Sequence, residues 1–237
     1  MFFIAAPFGN YLKSNRPAGW DVLSVSGTWT LKPRPGRFKQ ILKTLRYTKD
    51  GWVNKLGLKN QGIEHGIKKQ NAKDVLSIAA IEMSDWHELH RIVPRTANVE
   101  VNFGCPNTIP NVWPGFASFT RNPRKWCIAK IPPTFMNDEI DFLIDSGFKQ
   151  IHASNTLPVP QGGLSGKKIM PYTLRILEYI KKVHPHVEVI AGGGITTIDD
   201  VRGYRDYGAD HFSLGTVCFT PWKISKIINM VDLKNEK

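Results

Sequence analysis

Cys105 stands between Gly104 and Pro106, two residues beyond an apolar run that ends at Phe103. A thiol can take or give a proton when its surroundings bring its pKa near neutrality. The same position also suits a small buried structural thiol, on position alone the commoner case. Lys130 closes another apolar run, where an ammonium can meet an anion or stabilise negative charge on a bound ring, and where a lysine can equally snorkel at a rim. Asn54, Asn102, Asn107 and Asn155 all fall at loop or run ends. Amides donate and accept, so together they suit a ring with alternating C=O and N–H groups. Singly, loop asparagines are usually turn formers. Gly192-Gly193-Gly194 and Gly215-Thr216 follow two further runs. Glycine lets backbone N–H groups approach a phosphate closely, and it also serves plain tight turns.

These residues need elements to hold them. Short β-type runs are expected at 2–6, 21–25, 75–81, 99–103, 126–131, 150–153, 188–191 and 211–214. Most are near-continuously apolar, as strands buried on both faces of a parallel sheet are. Helical spacing recurs between the later runs. Leu174, Leu177 and Ile180 share a face within 172–183. Ile198, Val201 and Tyr204 share another, with Thr196 or Thr197 as N-cap and Gly208 as C-terminal glycine. A helix around Ile140 and Leu143 ends at Gly147, and Ile224, Ile227, Ile228 and Val231 mark a closing helix. Eight strands alternating with helices predict an α/β fold, a closed (β/α)8 TIM barrel in a single domain over 1–237. The long, poorly periodic stretch 26–74 is expected to be an excursion over the barrel top. In such a barrel the site lies at the C-terminal strand ends, where Asn102, Cys105, Asn107, Lys130, Asn155 and the two glycine segments fall.

The 237 residues are 41% hydrophobic and 22% charged, ordinary values for a globular chain. No apolar run approaches the roughly 18 residues of a membrane span, and the apolar opening Met1–Pro7 is too short for a signal peptide. Three scattered cysteines make no disulfide framework and supply too few thiolates for an iron–sulfur cluster, so a reduced, cytoplasmic compartment is expected. No metal site is expected. The net charge of +12 is spread along the chain without a basic block, which favours a solvated basic surface over a nucleic-acid footprint.

Taken in order, Val101-Asn-Phe-Gly-Cys-Pro-Asn-Thr108, Lys130-Ile-Pro-Pro133, Ser154-Asn-Thr156, Gly162-Gly-Leu-Ser-Gly-Lys167, Gly192-Gly-Gly-Ile195 and Leu214-Gly-Thr216 resemble dihydroorotate dehydrogenases over nearly the whole chain. Leu31-Lys-Pro-Arg-Pro-Gly36 and Asn54-Lys-Leu-Gly-Leu-Lys-Asn60 resemble them too. The resemblance implies oxidation of dihydroorotate to orotate in pyrimidine biosynthesis, with FMN as cofactor. It implies Cys105 as the base that removes the C5 proton, and Asn54, Asn102, Asn107, Asn155 and Thr156 as substrate contacts. It implies flavin and phosphate contacts from Ala5, Ala6, Asn102, Lys130, Ser154, Ser165, Gly166, Gly193, Gly194, Gly215 and Thr216. A cysteine base points to the family's soluble class, as does a first strand expected from Phe2. A homo-oligomer and an electron-transfer partner subunit are further expectations, with no membrane attachment.

The chain departs from the pattern in places. Where the soluble class carries a lysine that touches flavin and substrate, this chain has Gly27. The quinone-using class keeps a lysine after strand 1, where this chain reads Pro7-Phe-Gly-Asn10. Lys13 and Lys55 are the candidates to substitute. The loops after strands 3, 4 and 6 are short. Gly104-Cys-Pro106 and, faintly, Thr220-Pro-Trp222 also resemble tRNA-dihydrouridine synthases, and a flavin-binding barrel without turnover is the third alternative.

Overall fold

In the computed structural model, which describes residues 1–12, 21–104 and 115–232, eight parallel strands close into a barrel. They are β1 (Phe2–Ile4), β2 (Val22–Trp29), β5 (Val75–Ile78), β6 (Val99–Asn102), β7 (Cys127–Ile131), β8 (Gln150–Ala153), β11 (Glu188–Gly192) and β12 (His211–Leu214). Each expected run supplies one strand. The order around the barrel is β1-β12-β11-β8-β7-β6-β5-β2, so the first and last strands meet. Outside it run α2 (Ile63–Lys69), α3 (Asp85–Ile92), α4 (Asn137–Asp145), α5 (Met170–Val183), α6 (Ile198–Asp206) and α7 (Pro221–Asp232).

Local chemistry sets the helix ends. Thr197 caps α6 by accepting from the Asp200 N–H at 3.3 Å, and the Asp200 carboxylate accepts in return from the backbone of Thr196 and Thr197. Gly147 (φ +103°) and Gly208 (φ +92°) take left-handed turns after α4 and α6. Ile140, Leu143, Ile176, Leu177, Ile180, Val201 and Tyr204 are fully buried against the outer strand faces.

Inside the barrel the period of two separates an apolar floor from a polar layer. Phe3, Val25, Val75, Ile128 and Ile190 fill the floor. Two residues further along the same strands come Ala5, Gly27, Ser77, Lys130 and Gly192. Glu100 from β6, His152 from β8 and Ser213 from β12 join this layer, and all three side chains are buried.

The stretch 26–74 divides in three. Its first residues complete β2, which runs to Trp29, and α2 near its end packs on β2 and β5. Between them lie α1 (Arg37–Thr44), β3 (Arg46–Thr48) and β4 (Gly51–Asn54). β3 and β4 join β9 (Leu157–Val159) and β10 (Gly162–Ser165) in an antiparallel sheet ordered β3-β4-β10-β9. Gly163 lies opposite Asn54, and Ser165 opposite Trp52. The pairing is intimate: a Cβ on Gly162 would fall 2.2 Å from the Asn54 carbonyl oxygen. This small sheet ties the loop after β8 to the segment after β2 above the strand ends. No described helix is long and apolar enough to cross a membrane.

Candidate active site

A cavity of about 430 Å³ opens at the C-terminal strand ends, beneath the small sheet. That volume lies within the range of small-molecule sites. Its walls carry Ala5, Ala6, Lys130, Ser154, Ser165, Gly166, Gly193, Gly194, Gly215 and Thr216. A smaller cavity of about 130 Å³ adjoins it, lined by Gly27, Thr28, Arg37, Asn54, Lys59, Asn102, Asn155 and Thr156 among others. Asn54, Lys130, Asn155 and Thr156 line both. Every described residue that the resemblance implies as a flavin, phosphate or substrate contact thus lies on one of two joined cavities. Cys105 and Asn107 lie outside the described residues, as does Lys13.

The amides form one unit. Asn155 Nδ2 donates to Asn102 Oδ1 at 2.9 Å, which also accepts from the Gly104 N–H at 3.1 Å. Asn102 Nδ2 donates to Thr28 Oγ1 at 2.9 Å. Thr28 Oγ1 lies 2.9 Å from Ser77 Oγ, which donates to Glu100 Oε1 at 2.7 Å. His152 Nδ1 meets the other Glu100 oxygen at 2.7 Å, and Lys130 Nζ stands 3.8 Å from Oε1. A continuous polar chain therefore runs from the substrate-sized cavity to the floor of the larger one.

Burial pushes the Glu100 carboxyl up, but Lys130, then the hydrogen bonds of His152 and Ser77, overcome it and hold the group at about 2. Burial lowers the His152 pKa, and the Lys130 charge adds to that against the pull of Glu100. Ionised Glu100 and neutral His152 follow: Nδ1–H donates to the carboxylate and Nε2 carries the lone pair. Sequence reasoning missed Ser77, Glu100, His152, Thr28 and Ser213. The signal was the polar alternation within Val99-Glu-Val-Asn102 and Gln150-Ile-His-Ala-Ser154.

The residues fit a flavin mononucleotide. Gly193 (φ +90°) and Gly194 (φ +77°) sit where a Cβ would fall 2.7 Å from Ile169 Cγ2 and 2.6 Å from Met170 Cγ, so the backbone itself faces the cavity. The N–H groups of Gly193, Gly194 and Gly215 donate no hydrogen bond among the described residues. They suit a phosphate between the seventh and eighth strands. The first turn of α6 does not serve it, because Asp200 already accepts from Thr196 and Thr197 and pairs with Lys167 at 3.0 Å. Ser213 Oγ, buried on the cavity wall, has no partner among the described residues, and so presents an unmet polar atom to a bound group.

Two positions bear on the cation that the family pattern supplies. Gly27 has φ +110°, and a Cβ there would fall 2.5 Å from the Ser77 carbonyl oxygen, so a lysine side chain has no room. Asn10 fills the space instead, accepting from the Gly27 N–H at 3.0 Å and donating back to its carbonyl. Lys55 lines neither cavity of the site. It borders a separate surface hollow beside Lys43 and Asp50. The side chains that bring positive charge to the smaller cavity are Arg37, Lys59 and Lys130.

A family model described as dihydroorotate dehydrogenase matches residues 135–233. Among curated relatives, "Dihydroorotate dehydrogenase B (NAD(+)), catalytic subunit" of Thermotoga petrophila is 29% identical, covering 90% of this chain and 88% of its own. The protein of the same name from Halalkalibacterium halodurans is 26% identical, over 84% and 76%. Among solved structures, the ligand-free enzyme of Eimeria tenella superposes with TM-score 0.68 at 18% identity, over 90% of this chain and 77% of that one. Its complex with ferulenol gives 0.71 at 19%, over 90% and 75%. The structures carry the fold, and the sequence matches carry the likeness: along most of its length the chain is similar to dihydroorotate dehydrogenases.

Proposed function

We propose that this chain oxidises dihydroorotate to orotate, with FMN in the larger cavity and the pyrimidine in the smaller one. The observation that carries the reading is the junction of the two cavities, where Lys130, Asn54, Asn155 and Thr156 line both. A ring in each cavity would meet there. FMN supplies an acceptor for the hydride from substrate C6. Gly193, Gly194, Gly215 and Thr216 hold its phosphate, and Lys130 stabilises negative charge on its ring.

The chain's own groups do the rest. Asn102 and Asn155 hold each other at 2.9 Å and present the remaining amide edges to the pyrimidine, which fixes its plane. Arg37 and Lys59 offer the substrate carboxylate a charge-assisted hydrogen bond in place of the family lysine. Cys105 takes the C5 proton, the role the family gives it. Because the curated relatives are named as catalytic subunits of NAD(+)-linked enzymes, we assign the onward electrons to a partner subunit that delivers them to NAD+.

Replacement of the base tests the chemistry. Cys105→Ala is expected to slow flavin reduction by dihydroorotate on the order of 10²–10⁴-fold, the usual weight of a general base, with FMN still bound. An unchanged rate in stopped flow would remove Cys105 from the mechanism.

A further inference from the structure

The charges on the floor of the larger cavity already cancel. Lys130 brings one positive charge and Glu100 one negative, 3.8 Å apart and both buried. His152 completes the cluster as a neutral ring, fixed by the 2.7 Å contact of Nδ1 with Glu100 Oε2. Its Nε2 makes no hydrogen bond among the described residues, and the ring lines the cavity. The groups facing it are few. β6 brings Glu100 and β7 brings Lys130. From β11 and β12 come Gly192 and Ser213, which do not titrate; the site a Cβ would take on Gly192 is 3.0 Å from Nε2. Arg37 lines the cavity from above. Cys218, on the wall, has its thiol pushed up to about 12 by burial and stays protonated.

A cofactor that gains negative charge here therefore meets Lys130 already paired with Glu100, on a floor with no net positive charge. Uncompensated charge in a buried site is costly. Among the described residues, the one neutral group on the floor that can become cationic near neutral pH is His152, whose carboxylate partner is already in place. We propose that His152 is the proton acceptor of the cavity floor, taking a proton on Nε2 when the bound flavin is reduced and giving it back on reoxidation. The proposal rests on the FMN reading above. In balance, two electrons and one proton convert the flavin to its reduced anion. A second proton, drawn from solvent through the cavity, binds His152, and both protons leave with the electron pair.

Glu100 positions this histidine, because its hydrogen bond to Nδ1 fixes the tautomer that leaves Nε2 bare. The linkage has a defined direction. Burial holds the His152 pKa below its usual 6.5 while the flavin is oxidised, and added negative charge raises it once the flavin is reduced. Between those two pKa values reduction takes up one extra proton.

The test is the midpoint potential of the FMN-loaded protein against pH, followed by spectroelectrochemistry, for wild type and His152→Gln. Wild type is expected to take up two protons per electron pair between the oxidised-state and reduced-state values of His152, a window that opens below 6.5, and one proton above its upper break. The variant should take up one throughout. The reduced spectrum should be that of the anionic flavin in both, which places the second proton off the ring. If the variant does not fold, 15N shifts of His152 in wild type decide: neutral in the oxidised protein, doubly protonated in the reduced one. One proton per pair in wild type, an unchanged slope in the variant, or a histidine that stays neutral overturns the proposal. A chain that binds no FMN overturns both this proposal and the functional reading. Flavin with the expected slopes but no reduction by dihydroorotate overturns only the substrate.

Discussion

Asn102 carries more of the site than any other side chain. Its Oδ1 accepts from both Asn155 and Gly104, and its Nδ2 donates to Thr28. Removing it strands three partners in a buried layer, each at roughly 1–3 kcal/mol. Asn102→Ala and Asn155→Ala are expected to weaken orotate binding at least about tenfold, the lower end of that range. Titration of the flavin spectrum with orotate reads the change, and unaltered affinity in both variants would place the pyrimidine elsewhere. Gly27 makes the opposite point. Its left-handed backbone and the 2.5 Å approach to Ser77 mean that Gly27→Lys should unfold or distort the strand rather than restore a family contact. Arg37→Ala and Lys59→Ala are the informative changes. At least one should lower orotate affinity severalfold, with the loss shrinking at high salt.

Strands and loops set what those side chains can do. The proposed phosphate cup depends on two glycines whose missing Cβ atoms leave room for Ile169 and Met170. Gly193→Ala should therefore lower FMN affinity at least about tenfold, measured by quenching of flavin fluorescence. Near-native affinity would show that the loop yields and that the cup lies elsewhere. Behind β6, Phe116 is buried against Phe103 and Phe148, with ring centroids 4.9 and 5.9 Å away. This aromatic cluster props the segment that carries Asn102 to Gly104. Phe116→Ala should cost about 3–5 kcal/mol in urea unfolding, the range for a buried aromatic.

At this scale the sequence was informative but uneven. The eight barrel strands were legible because both faces are buried and their runs are apolar. The cavity-lining residues at strand ends were legible because loops follow the strands there. Ser77, Glu100 and His152 were hidden inside those same runs, where one polar residue among apolar neighbours passes as noise. The small sheet was illegible for another reason. β4 pairs with β10 from the far half of the chain, and no local pattern encodes that partner.

The molecule as a whole divides its labour by height along the barrel axis. An apolar floor closes the bottom, a charge-balanced polar layer lies on it, and the cavities open above under the four-stranded sheet. Glu100 ties the layer to stability. Its carboxyl lies at about 2, below its unfolded value of 4.5. A depressed carboxyl stabilises the fold fully above the unfolded value, and this contribution is lost as pH falls through the folded one. Unfolding free energy should thus drop between about pH 4.5 and pH 2, and less steeply in Glu100→Gln than in wild type. Equal slopes would mean that the ionised carboxylate does not contribute.

Anaerobic mixing of the FMN-loaded protein with dihydroorotate tests the central claim most directly. Orotate should form in step with bleaching of the flavin band, one equivalent per flavin, with no lipid or detergent added. A flavin that stays oxidised under excess dihydroorotate, yet is bleached by a chemical reductant, would contradict the account.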